Sequence, residues 1–113
     1  MKPARTKILF VCSKNKVRSL TAEQIYRRFH YDVRSAGTDH GARVRITEGH
    51  IGWADWIFLM EKKHLQMLRS KYADCLHDKR IVCLDIPDDY EYMDEALIDI
   101  LKARLSEHID VPD

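Results

Sequence analysis

The sequence predicts an α/β fold of three layers, a four-stranded parallel sheet flanked by helices, in a single domain spanning 1–113. Three observations carry that expectation. Four strand-length runs recur along the chain, and three of them are so continuously apolar that they suit strands buried on both faces. Segments of helical period separate them, and such alternation implies βαβ units with right-handed crossovers. At 113 residues the chain is long enough for one core and too short for two of ordinary size.

The first strand is Lys7-Ile-Leu-Phe-Val-Cys12, an unbroken apolar run. A polar, basic stretch from Ser13 to Arg18 follows, and from Ser19 the residues Leu20, Ile25 and Phe29 recur at helical spacing to about Tyr31. Asp32–Ala36 reads as a second strand ended by Gly37. After some polar residues Thr47 can cap a brief helix running to Trp53 or Ala54. Trp56–Met60 supplies the third strand, and Leu65, Leu68 and Tyr72 mark the apolar face of the next helix. Arg80–Leu84 is the fourth strand. The last helix is expected from near Tyr92, with Leu97, Leu101 and Leu105 on one stripe. Asp94 and Glu95 lie in its first turn and Lys102 and Arg104 near its end, as the helix dipole favours.

Composition narrows the function classes. Lys and Arg number 19 against 18 Asp and Glu, so no global field recruits nucleic acid or an anionic membrane, and any affinity for anions must be local. Arg27-Arg28 and the N-terminal Lys2, Arg5 and Lys7 form no long basic stripe interleaved with aromatics, so no nucleic-acid partner is expected. No apolar run approaches the roughly 20 residues of a membrane helix, and Met1–Arg5 lead into no signal-peptide core, so the chain is expected in the cytoplasm and away from membranes. Cys12, Cys75 and Cys83 suit free thiols in a reducing compartment. The histidines include no metal-type pair and the cysteines no zinc spacing, so neither a metal nor another cofactor is expected. Trp53, Trp56 and Tyr72 are read as core residues.

The chemistry concentrates where the first strand ends. Open α/β sheets place their sites at the carboxyl ends of strands, and Cys12 stands there, ahead of Ser13-Lys14-Asn15-Lys16-Val17-Arg18-Ser19. A loop curling into a helix N-terminus aims several backbone N–H groups at one point, and the positive end of the dipole favours an anion there. Phosphate or another oxyanion fits. The same field stabilises a thiolate and makes Cys12 a nucleophile. Arg18, six residues on, can fold back and clamp two oxygens at once, which Lys reproduces poorly. A Cys-x5-Arg spacing alone arises readily by chance, and Cys12 alone could be a small buried hydrophobe. The Ser after the Arg, the buried strand before and the helix after give the pattern its specificity.

Ile8–Ser19, then Ala22-Glu23, resembles the low-molecular-weight protein tyrosine phosphatase family, whose signature is Cys-x-Gly-Asn-x-Cys-Arg-Ser. Ser35-Ala36-Gly37-Thr38 is similar to that family's second-strand signature, and Ile46–Met60 to the segment leading into its third strand. The resemblance implies the fold of that family and hydrolysis of phosphotyrosine or another aryl phosphate monoester through a phosphocysteine intermediate. A phosphorylated protein or a small aryl phosphate would be the substrate. Carried over, Cys12 is the nucleophile, Arg18 the clamp, Asn15 the residue that holds the loop in shape, Ser19 the hydroxyl supporting the thiolate, and His40 the match to a buttressing histidine. Residues 13–19 would together bind the phosphate.

The family's general acid comes from an Asp-Pro-Tyr loop between the fourth strand and the last helix. Asp85-Ile-Pro-Asp-Asp-Tyr90 occupies that place, and Asp88 with Tyr90 aligns best, with Asp85 and Asp89 in reserve. Such an acid protonates the leaving oxygen and then activates water against the phosphocysteine. Tyr90 either flanks the substrate or covers the edge of the sheet, and Lys14 and Lys16 either steer phosphate or are solvated charges.

Four departures stand out. Lys14 replaces the family glycine, Val17 the second loop cysteine, and Asp89 the proline after the acid. A segment after the second strand, including a helix and a loop that lines the family's cleft, is absent, which implies a shallower, more open site. Two other functions share the scaffold's chemistry: a non-catalytic phosphate-binding or regulatory module, and a thiol-coupled arsenate reductase, which needs Cys75 or Cys83 as a resolving thiol near Cys12.

Overall fold

A computed structural model describes residues 5–113, and Met1–Ala4, with Lys2 among them, lie outside the described residues. Four parallel strands form one sheet: β1 (Lys7–Cys12), β2 (Asp32–Gly37), β3 (Trp56–Leu59) and β4 (Arg80–Cys83). Their order across the sheet is β2-β1-β3-β4. The apolar run of β1 is thereby explained: it is paired on both edges, Val11 facing Ala36 on one side and Leu59 on the other, and Ile8–Val11 are fully buried.

Alternation along the strands divides the core in two. Ile8, Phe10, Phe58 and Met60 point to one face, against α1 (Arg18–Ile25) and α4 (Glu95–Leu105). Leu9, Val11, Ile57 and Leu59 point to the other, under α2 (Glu48–Trp53) and α3 (Lys62–Tyr72). The result is the expected three-layer α/β arrangement. Each fully buried large apolar side chain contributes on the order of 2 kcal/mol by leaving water. Tyr72 is buried, and Trp53 and Trp56 are half-buried against the two cores, stacked beneath Arg34 and Arg80 respectively.

Two helix boundaries differ from the sequence expectation. α1 ends at Ile25 rather than near Tyr31, because the backbone tightens there into turns, Tyr26 N–H reaching the Glu23 carbonyl, Arg27 N–H that of Gln24 and Phe29 N–H that of Tyr26, while the buried Tyr26 hydroxyl donates to the Asp110 carbonyl. Ala22 and Tyr26 form the deepest contacts of this segment, Ile25 and Phe29 pack at its border, and Leu20 is only half-buried. α4 starts at Glu95, not near Tyr92. Met93 adopts a left-handed backbone (φ 62°) that no helix continues, and Asp94 caps the helix by accepting from Ala96 N–H. The Thr47 cap forms as expected, its hydroxyl accepting from His50 N–H. No described helix is long and apolar enough to cross a membrane.

Because all four strands are parallel, their carboxyl ends share one edge of the sheet. That edge carries Cys12, Gly37, the Glu61 turn after β3 and the Asp85–Tyr90 segment after β4.

Candidate active site

The chain after β1 curls over the sheet edge before entering α1. The turn is made by Asn15, whose left-handed backbone (φ 56°) suits an asparagine. Lys14 keeps an ordinary φ, so a lysine is accommodated where the family signature has glycine. The loop carbonyls are turned outward: that of Ser13 accepts from Asp39 N–H at 2.9 Å, that of Lys14 from Arg43 N–H at 2.9 Å, and that of Asn15 from Arg43 Nε at 3.1 Å. α1 begins with no side-chain cap and no acidic residue in its first turn. Its first amides and its dipole therefore stay unneutralised from within.

Into this concavity comes the thiol. Cys12 Sγ lies 2.9 Å from Ser19 Oγ and receives Asn15 N–H at 3.2 Å. Asn15 Nδ2 donates to Ser19 Oγ at 2.7 Å, which leaves the Ser19 hydroxyl proton to point at sulfur. Both contacts bring a donor to the sulfur. Asn15 and Ser19 are completely buried, so this relay is shielded from solvent. The Asn15 Oδ1 atom is also buried and has no partner among the described residues.

Arg18 is the largest buried side chain of the site, 2% exposed. Its Nη1 donates to Glu61 Oε2 at 2.6 Å and to the Ile86 carbonyl at 2.8 Å. These bonds occupy one arm of the guanidinium and orient its plane; Nε and Nη2 make no hydrogen bond within the described residues. The Arg18 hydrogen bond holds the Glu61 carboxyl below the usual carboxylate range. Asp88 Oδ1 stands 3.8 Å from Arg18 Nε, on an exposed side chain.

Cys12, Ser13, Lys14, Lys16, Val17, Arg18 and Asp88 line a cavity of about 150 Å³. The fold thus gathers the proposed nucleophile, clamp and acid at one hollow. Asp85 lines a separate depression with Lys62 and Pro87 and accepts from the Cys83 thiol, and Asp89 is exposed outside both. Tyr90 is half-buried against the core of α1 and α4 rather than in the cavity wall. Val17 lines the hollow and packs on the same core. Lys14 and Lys16 are exposed at the rim.

A model of the low molecular weight phosphotyrosine protein phosphatase family matches residues 7–51, the stretch holding β1, the loop, α1 and β2. The tyrosine phosphatase Wzb from Escherichia coli K30, solved with phosphate, superposes with a TM-score of 0.73 at 19% identity, covering 92% of this chain and 96% of that one. The chain has the fold of the low molecular weight tyrosine phosphatases, and its residues 7–51 match their family model. Vibrio vulnificus Wzb in complex with benzylphosphonate gives a TM-score of 0.73 at 21% identity over 92% and 97% of the two chains. The YwlE arginine phosphatase from Geobacillus stearothermophilus gives 0.64 at 21% identity over 95% and 99%. No curated protein sequence matches the chain.

One residue expected from the resemblance lies elsewhere. His40 is exposed and makes no hydrogen bond to the loop. The connection from β2 is a short excursion that returns to its origin: Gly37 N–H donates to the Val44 carbonyl and Ile46 N–H to the Gly37 carbonyl. His40 rides on the outside of this excursion while its neighbours Asp39 and Arg43 hold the loop through backbone groups. Two residues not singled out from the sequence do reach the site, Glu61 and His64, three apart at the start of α3. The signal available was their place directly after a buried strand, at the edge where parallel sheets build sites.

Gly37 is irreplaceable by reason of space. A Cβ there would stand 2.5 Å from the Ser13 carbonyl oxygen, 2.7 Å from Ala42 Cβ and 3.0 Å from Asn15 N. These are backbone or short, fixed atoms, so relief requires moving the loop. We expect Gly37→Ala to lower stability by about 1–3 kcal/mol and to weaken binding of inorganic phosphate in the same sample. A thermal melt and a phosphate titration check both, and an unchanged phosphate affinity would count against the loop's dependence on this floor.

Proposed function

We propose that this protein hydrolyses phosphate monoesters through a phosphocysteine, with phosphotyrosine or another aryl phosphate as substrate. The observation that carries the reading is the thiol of Cys12, bonded by Ser19 and Asn15, at the floor of a hollow that Arg18 and Asp88 also line. Phosphate and benzylphosphonate, held by the two Wzb structures, support an oxyanion in this loop.

Each step of this reading has a residue to carry it. Loop amides and the free edge of Arg18 take the equatorial oxygens, where charge spreads during phosphoryl transfer. Cys12 sulfur attacks phosphorus in line as the ester P–O bond breaks, and the Asp88 carboxyl gives its proton to the leaving oxygen. Water then attacks phosphorus, its proton returns to Asp88, the P–S bond breaks, and inorganic phosphate leaves with the thiolate restored. Ser19, fixed by Asn15, stabilises sulfur as it departs.

Of the three acids near β4, only Asp88 lines the hollow. We expect Asp88→Asn to lower kcat by roughly 10²–10⁴-fold on phenyl phosphate and by much less on para-nitrophenyl phosphate, whose leaving group needs little protonation. An inert wild type, or Asp88→Asn as active as wild type on phenyl phosphate, defeats the assignment. Phosphate binding without turnover would instead indicate a binding module. The arsenate-reductase reading finds no support in either resolving thiol: Cys75 packs on the core of the opposite sheet face from the one that Cys12 joins, and Cys83 pairs with Leu59, itself paired with Val11 of β1, so two strand spacings, about 10 Å, separate its strand from that of Cys12. A disulfide tolerates Cα atoms only to about 7 Å.

A further inference from the structure

One end of one helix grips the loop twice. At the start of α3, Glu61 holds Arg18, the first residue of α1, and His64 Nε2 lies 2.9 Å from the hydroxyl of Ser13, the first residue after the nucleophile. We propose that Ser13 and His64 form a latch that fixes the aim of the loop amides, making His64 a positioning residue for oxyanion capture. The proposal rests on the phosphatase reading for its purpose but not for its geometry.

The hydrogen-bond pattern settles the direction of the latch. His64 Nδ1 receives the backbone N–H of Glu61 at 3.0 Å, so that nitrogen carries no proton. The ring proton sits on Nε2 and is donated to Ser13 Oγ. His64 is 1% exposed and does not line the hollow, and both ring nitrogens are committed, so it is no general base for substrate. Burial, and next the Arg18 charge, pull its pKa down to about 4, which keeps this tautomer in place across the neutral range.

The latch acts on a residue already held from the opposite flank. The Ser13 carbonyl is tied outward to Asp39 N–H and the Lys14 carbonyl to Arg43 N–H, each at 2.9 Å. With its carbonyl tied to one side and its side chain tied to α3 on the other, Ser13 cannot rotate. The peptide that follows it therefore presents the Lys14 N–H inward. The family signature leaves this position open, Cys-x-Gly-Asn, so the serine is a choice of this chain rather than a requirement of the loop.

The test is a double-mutant cycle on the full chain, read as the dissociation constant for inorganic phosphate by calorimetry, with melting temperature alongside. We expect Ser13→Ala and His64→Ala each to weaken phosphate about tenfold. The double variant should lose no more than either single one, as members of one contact do. His64→Gln, whose amide N–H can replace Nε2–H, should recover most of the loss, and Ser13→Ala should melt as wild type does. Unchanged phosphate affinity in Ser13→Ala, or losses that multiply in the double variant, would overturn the latch. Should His64→Ala fail to fold, Ser13→Ala and His64→Gln decide alone. Wild type that binds phosphate through this coupling yet never turns over substrate sinks the hydrolase reading and leaves the latch standing. Wild type that binds no phosphate overturns both.

Discussion

Cys12→Ser is expected to lower turnover of an aryl phosphate by at least about 10⁴-fold while leaving phosphate bound in the loop. The reason lies in the company the sulfur keeps. Its two partners, Asn15 N–H and the Ser19 hydroxyl, are donors, and Asn15 Nδ2 donates into Ser19 in turn. Such an environment holds an anion that is already formed but removes no proton. A serine hydroxyl in the same place stays protonated and has no base beside it, since the nearby histidine, His64, spends both nitrogens elsewhere. The loop amides and Arg18 are unaltered, so the anion site persists. Single-turnover kinetics with acid-quenched labelled substrate measure both halves. Wild type should trap a covalent phosphoprotein and the variant none; a serine variant keeping more than about one per cent of turnover would remove Cys12 from the nucleophile's role.

Arg18→Ala should show the second largest effect, and on two axes. The guanidinium is nearly inaccessible and satisfies the Glu61 carboxylate and the Ile86 carbonyl together. Its removal leaves both acceptors without a donor, and we expect a loss of about 3 kcal/mol in urea unfolding. Activity should fall by at least about 10³-fold, because the same group provides the N–H pair for two phosphate oxygens. Arg18→Lys separates the axes. An ammonium can reach Glu61 and restore part of the stability, yet it cannot hold Glu61, Ile86 and two oxygens in one plane, so turnover should stay low. Recovery of kcat in Arg18→Lys would mean that charge alone suffices.

The fold was legible because its sheet is parallel. Strands covered on both faces must be apolar throughout, and Lys7–Cys12 and Trp56–Leu59 advertise that requirement in composition alone, while the edge strand Arg80–Cys83 keeps an apolar run though only half-buried. Thr47 was legible because a cap is a local bond between residues three apart. The ends of α1 and α4 were not. One is set by the tightened turns after Ile25 and the other by the left-handed backbone of Met93, conformations that the apolar spacing does not signal. At the site, the Cys12–Ser19 stretch could be read since its chemistry is contiguous. Glu61 and His64 could not, because each acts on a loop more than forty residues away. His40 shows the converse: a matching residue in sequence, carried outside by the short return from Gly37 to Ile46.

The strand bearing Cys12 is flanked by β2 and β3, and only β2 follows it directly in the chain. Its second neighbour arrives some forty-five residues later, together with Glu61 and His64. A partly assembled chain thus holds a cysteine like any other, with its guanidinium unsupported and its amides unaimed. Reactivity becomes a late acquisition of folding, so alkylation of Cys12 during refolding reports completion of the domain rather than collapse.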